Sequence, residues 1–137
     1  MLNLKHKKLK VWNKSILLVK EIYKLTKKLP DTEKFGLTSQ MRRAAVSISS
    51  NISEGASRSS QTERNRFYEI ARSSLVELDT QIEISIELEY LIKEDLANLD
   101  ELLNANFALI TNMIKSSILI IQQIISFHIC RLTFHFR

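Results

Sequence analysis

Three carboxylates, Asp79, Glu83 and Glu87, fall at i, i+4 and i+8, which on a helix places them along one face. Such a face could hold Mg²⁺ for hydrolysis of a phosphodiester, with metal-bound water as nucleophile. It is also the pattern of a solvated acidic helix, and no partner motif stands nearby. His128, Cys130 and His135 are zinc-ligand types, but the paired spacing of a zinc site is missing. All three His lie in the first six or last ten residues, so a Ser–His or Cys–His nucleophile pair lacks its parts. The chain has no Glu-x-x-His pairs of a dinuclear bundle site and no glycine-rich phosphate loop. No catalytic residue, metal or other cofactor is therefore expected, and an enzyme is the least supported class.

A different polar line runs through residues 40–58. Arg43, Ser47, Asn51 and Glu54 are spaced +4, +4 and +3, opposite the apolar stripe of Met41, Ala45, Ile48 and Ile52. Most side chains between are short, Ala44, Ser49, Ser50 and Ser53 among them, which lets neighbouring helices approach closely and marks a central helix. Ser74, Glu77 and Gln81 form a matching line on the next helix. Together the seven are expected to make a buried or half-buried polar network, because an unpaired buried charge is very costly. Its ordinary use is to specify register and assembly.

Nucleic-acid binding has a physical basis in the cations. Lys10, Lys14, Lys24 and Lys28 share the outer side of a first helix, and Arg42, Arg58, Arg64, Arg66 and Arg72 surround the next turn. These nine could meet a phosphate backbone with an affinity that falls steeply with salt. Arg58, Arg64 and Arg66 gather where a third helix begins and adds the positive end of its dipole. The aromatic residues fall mostly at core positions, so backbone and shape recognition is expected, not base stacking. A solvated lysine face is the plainer reading of any one helix.

The elements that must carry these residues are helical. With 137 residues and 45% hydrophobic content the chain can build one core, and two Gly with one Pro leave little for the turns of a sheet. The fold class expected is all-α, an antiparallel up-down four-helix bundle. Its helices span about 9–29, 38–55, 61–92 and 95–117 or beyond. Trp12, Ile16, Val19 and Tyr23 form the apolar line of the first, beside Ser15, Leu18, Ile22 and Leu29, and Pro30 stops it. Phe35 is expected to tuck back, Thr38 to cap the second helix, and Gly55 to close it in a left-handed conformation. Ser60 and Glu63 read as a capping box for the third, with Phe67, Ala71, Ser74, Leu78 and Ile82 inward. Asp95 could cap the fourth, where Leu96, Leu99, Leu103, Phe107, Ile110 and Ile114 share a side.

Residues 118–137 are set apart as an apolar extension. Gln122 and Gln123 interrupt it short of the roughly 20 apolar residues of a spanning helix. Its last residues alternate like a strand from Leu132, and packing on a partner subunit is its expected role. No membrane partner is expected. One cysteine, and an N-terminus without an apolar signal core, point to the cytoplasm.

Charge is distributed unevenly. Residues 1–28 hold nine Lys against one Glu, whereas residues 73–101 hold nine Asp or Glu against one Lys. Such halves could complement each other between subunits or leave a basic face for phosphate.

The string LTSQMRRAAVSISSNISEG, preceded by VWNKSILLVKEIYKLTKKLP and followed by FYEIARSSLVELDTQI, closely resembles the bacterial four-helix-bundle proteins encoded within intervening sequences of 23S rRNA genes. The accessory variability determinant of diversity-generating retroelements is a related branch. The resemblance runs from about Leu9 to Ile92, and Arg43, Asn51, Glu54, Gly55 and Glu77 match the family's characteristic positions. It implies a ring-forming homo-oligomer, typically a pentamer, and in the retroelement branch an association with nucleic acid and a reverse transcriptase.

These readings converge on a non-enzymatic homo-oligomer that presents a basic surface to structured RNA or an RNA–protein complex. The alternative is a protein adaptor, for a reverse transcriptase for example, without direct nucleic-acid binding. A metal-dependent nuclease using the third-helix carboxylates is a third reading.

Overall fold

The computed structural model describes the backbone of residues 1–133 and the side chains of residues 1–116. Four helices form it, α1 (Lys10–Leu25), α2 (Leu37–Ser57), α3 (Gln61–Glu87) and α4 (Leu99–Thr133), with short 3₁₀ turns at Lys5–Lys8, Asp31–Glu33 and Lys93–Leu96. No strand occurs among the described residues, and the fold is all-α. Each helix packs on its neighbours in sequence, and α1 closes the ring against α4. The seams run antiparallel. Across α2 and α3, Ser47 meets Ser74 while the earlier Met41 meets the later Ser85. Lys28, in the turn that follows α1, reaches Asp95 just before α4.

The buried face of α1 is Val11, Ser15, Leu18, Ile22 and Leu25. The expected line of Trp12, Ile16, Val19 and Tyr23 lies one position round the helix, and Ile16 and Tyr23 are each 42% exposed. Ser15 occupies the core because its hydroxyl is satisfied locally by the Trp12 carbonyl at 2.7 Å, so its small volume permits close packing. The helix also ends earlier than expected, at Leu25. Thr26 caps it with its amide on the Ile22 carbonyl, and tighter turns carry the chain to a buried Leu29 before Pro30.

Glu33, not Thr38, caps α2, its carboxylate accepting the Leu37 amide at 2.9 Å. Thr38 is buried inside the first turn, and Phe35 points outward at 88% exposure. The stripe of α2 widens to Met41, Ala44, Ala45, Ile48, Ser49, Ile52 and Gly55, as a helix flanked on two sides requires. Gly55 does not terminate it. The helix continues to Ser57, and Gly55 has no positive φ. Its missing side chain serves the approach of α3, since a Cβ there would lie 2.6 Å from Tyr68 Cε1.

Ser60 stands at the N-cap of α3 without a side-chain cap bond, so the expected capping box is not formed. Arg64 instead folds back, Nε donating to the Arg58 carbonyl at 2.7 Å and a second nitrogen to the Ser59 carbonyl at 3.2 Å. Tyr68, not Phe67, begins the buried stripe, followed by Ala71, Ser74, Leu75, Leu78, Gln81, Ile82 and Ser85. α3 stops at Glu87, short of the expected Ile92, in a Schellman arrangement. The Tyr90 amide bonds to the Ser85 carbonyl and the Glu89 amide to that of Ile86, with Glu89 left-handed at φ 60°.

α4 begins at Leu99, not Asp95. Asp95 belongs to the preceding 3₁₀ turn, where its carboxylate accepts the Ile92 amide at 3.4 Å. The inner positions are Leu99, Leu103, Asn106, Ile110 and Ile114, with Asn106 where Phe107 was expected and Phe107 44% exposed. The helix runs through residue 117 to Thr133. The side chains of His128 and Cys130, all of His135, and the end of the expected strand-like alternation lie outside the described residues.

Candidate functional site

The antiparallel topology sorts the nine cations into groups. The chain leading into α1, the end of α2 and the start of α3 meet at one end of the bundle, where Asn3 to His6, Leu9, Ala56 to Arg58, Arg64 and Tyr68 line a common cleft. Lys10 and Lys14 belong to this end with Arg58, Arg64 and Arg66, and the lysines of the Lys5–Lys8 turn join them. Lys24, Lys28 and Arg42 sit at the opposite end. There Lys28 pairs with Asp95 at 2.5 Å and Lys24 with Glu21 at 2.7 Å. Arg42 Nε donates to Thr26 Oγ1 at 2.9 Å, and its guanidinium lies 4.8 Å from the Tyr23 ring centre. Arg72, midway along α3, faces Glu69 at 3.7 Å.

The cations of the first end differ in what they already hold. Arg58 pairs with Glu54 one turn back and covers the Phe67 ring at 5.0 Å. Its Nε is buried without a partner among the described residues. Arg64 is engaged by the carbonyls of the turn. Lys10 and the exposed Arg66 make no ion pair among the described residues, nor does the half-buried Lys14. A free cation can exchange its counterion for phosphate without first breaking a protein contact.

The cleft at this end measures about 750 Å³. Leu4, Leu9 and Met113 bring apolar surface to it, and Lys5 and Arg64 bring charge. Burial pushes the Tyr68 phenol above its ordinary pKa, against the opposing pull of the Arg64 charge. His6, also in the wall, lies 5.2 Å from the Trp12 ring, centre to centre. Lys5, Tyr68 and Met113 are not foreseeable from the sequence here, since nothing local in the chain joins them.

The polar line between α2 and α3 closes only in part. Ser47 and Ser74 share a hydrogen bond of 2.9 Å, and Asn51 donates to the Ser47 carbonyl and hydroxyl at 2.8 and 3.1 Å. Gln81 donates to Glu77 at 3.0 Å, leaving its own buried carbonyl oxygen without a protein partner among the described residues. Arg43 is exposed and bonds to none of the others, and Glu54 turns to Arg58. Asp79, Glu83 and Glu87 are all exposed. No group of His, Cys, Asp and Glu that could hold a metal ion occurs among the described residues.

Residues 7–115 match the family of the 23S rRNA-intervening sequence protein. The chain belongs to this family. A solved structure from Bacteroides thetaiotaomicron, of a protein of unknown function from the S23 ribosomal protein family, is similar to it. The two are 26% identical with a TM-score of 0.58, over 81% of this chain and 97% of that one. None of the curated proteins matches the chain. Within the intervening-sequence protein family, this member is a small four-helix protein. No helix among its described residues is long and apolar enough to cross a membrane.

Proposed function

We propose that the protein is a non-enzymatic, self-associating cytoplasmic bundle that docks structured RNA, alone or within an RNA–protein complex, on its basic end. The observation that carries this reading is the separation of cations by their partners. Lys24, Lys28 and Arg72 are spent on carboxylates, whereas Lys10, Lys14 and Arg66 are not. Docking would be electrostatic, without turnover, and would recognise the RNA backbone and its shape. Self-association is supported by the outer side of α1, where Ile16, Leu17 and Tyr23 are 42%, 49% and 42% exposed. Apolar residues grouped on one side of a helix favour a covering partner. Family resemblance makes a pentamer the expected assembly.

One observation favours the adaptor reading. The exposed Asp79, Glu83 and Glu87 give α3 an acidic second half that could receive the basic end of a neighbour or of a partner such as a reverse transcriptase. Light-scattering mass, measured with and without a structured RNA at low salt, separates the two. RNA docking predicts an oligomer whose mass rises by whole RNA molecules. An oligomer whose mass ignores RNA would assign the cations to protein contacts.

A further inference from the structure

The cleft at the basic end is larger and less polar than phosphate docking requires. Its volume of about 750 Å³ is that of a small-molecule site, for which about 300–1,000 Å³ is usual. Its lining combines three features seldom found together on a plain electrostatic surface. Leu4, Leu9 and Met113 offer apolar surface, the largely buried Tyr68 closes the wall, and Lys5 and Arg64 bring positive charge. Arg58 Nε in the cleft wall is buried without a partner among the described residues, and the Tyr68 hydroxyl makes no hydrogen bond among them.

We propose that this cleft binds one nucleoside monophosphate unit, an unpaired nucleotide of the docked RNA, with its base against Leu4, Leu9 and Met113 and its phosphate on Lys5 and on the Arg64 nitrogen that the turn carbonyls do not engage. The proposal rests on the RNA-docking reading and deepens it by naming the substrate class, an RNA with a bulged or looped-out nucleotide. The chemistry is the usual one for RNA. Helical RNA hides its base edges, whereas a base out of the stack exposes an apolar face to apolar side chains and leaves its phosphate free for cations. Pairing of the Arg58 guanidinium with Glu54 holds it in place at the cleft wall, so the site is formed before the RNA arrives.

The test compares three probes on the full chain by fluorescence anisotropy: an RNA stem with one bulged 2-aminopurine, the same stem fully paired, and free 5′-AMP as competitor. Wild type is expected to bind the bulged stem about tenfold tighter, the order expected for burying one base face on apolar side chains. Binding should quench the 2-aminopurine and change the emission of Trp12 through His6. Ala56→Phe, which fills the cleft, should bring the bulged stem down to the affinity of the paired one. Leu4→Trp, at a position 43% exposed ahead of α1, does the same without touching the core. Equal affinity of wild type for both stems would overturn the nucleotide site and leave electrostatic docking intact. Binding of neither stem at low salt would remove the docking reading and the site with it. Tight AMP binding without preference for the bulge would overturn the RNA assignment and give the cleft to a free nucleotide.

Discussion

Gly55 on α2 lies directly against the ring of Tyr68 on α3, so close that a Cβ would come within 2.6 Å of Cε1 and 3.2 Å of the Arg64 carbonyl. This contact sets the distance between the two helices at the basic end and with it the width of the cleft. Gly55→Ala should therefore destabilise the protein despite the better helix propensity of alanine. Overpacking costs about 1–3 kcal/mol, against roughly 1 kcal/mol returned by propensity. Urea denaturation should show a net loss, partly restored by adding Tyr68→Leu but not by adding Tyr68→Phe, which keeps the clashing ring.

Glu89 holds a left-handed conformation at the end of α3, with φ 60°. For a residue with a Cβ this costs about 1–2 kcal/mol. Its side chain is exposed, so Glu89→Gly removes the strain without opening the core. The variant is expected to gain about 1 kcal/mol in stability. A lower midpoint in urea would show that the Glu89 side chain contributes something the backbone conformation does not explain.

Asn106 is fully buried in α4, its amide nitrogen on the Leu102 carbonyl at 2.8 Å and its Oδ1 without a protein partner among the described residues. An unsatisfied buried acceptor costs about 1–3 kcal/mol. Asn106→Leu should raise the melting temperature. If Asn106 also specifies the pairing of α4, the same variant should broaden the distribution of oligomer masses.

The Lys28–Asp95 pair ties the turn that follows α1 to the turn before α4. The hydrogen bond from Lys28 lowers the pKa of Asp95, desolvation opposes it, and the Ile92 amide and the Lys28 charge add to it. A carboxyl depressed in the folded state stabilises the protein above its unfolded pKa, and that contribution is lost as pH falls through the folded value. The stability gap between wild type and Asp95→Asn should be full at neutral pH and close as pH drops below about 3.9, the ordinary value of an aspartate. A gap that persists in strong acid would show that Asp95 acts by packing and not by charge.

Much of the fold is legible in the chain because the α2 stripe of Met41, Ala45, Ile48 and Ile52 is clean and Gly and Pro are scarce. Helix ends are harder to read, for reasons visible at each one. Glu33 caps α2 from outside the helix, and Arg64 satisfies a turn that Ser60 and Glu63 were suited to close. Glu89 adopts a conformation that glycine usually marks. The α1 face is displaced by one residue because Ser15, polar by type, satisfies its hydroxyl locally and enters the core. The candidate site is only half legible. Its cations are plain in the sequence, but their division into paired and unpaired groups depends on which helix ends the antiparallel topology brings together.

The most direct measurement compares the salt dependence of RNA affinity for wild type and two triple variants. One carries Lys10→Ala, Lys14→Ala and Arg66→Ala at the basic end. The other carries Lys24→Ala, Lys28→Ala and Arg42→Ala at the far end. Docking at the basic end predicts that log K falls linearly with log salt for wild type, and that the first variant is weaker with a slope shallower by about 2–3, near one for each phosphate no longer neutralised. The second variant should keep the wild-type slope. Equal slopes in all three proteins, or a weakening confined to the far-end variant, would contradict the account.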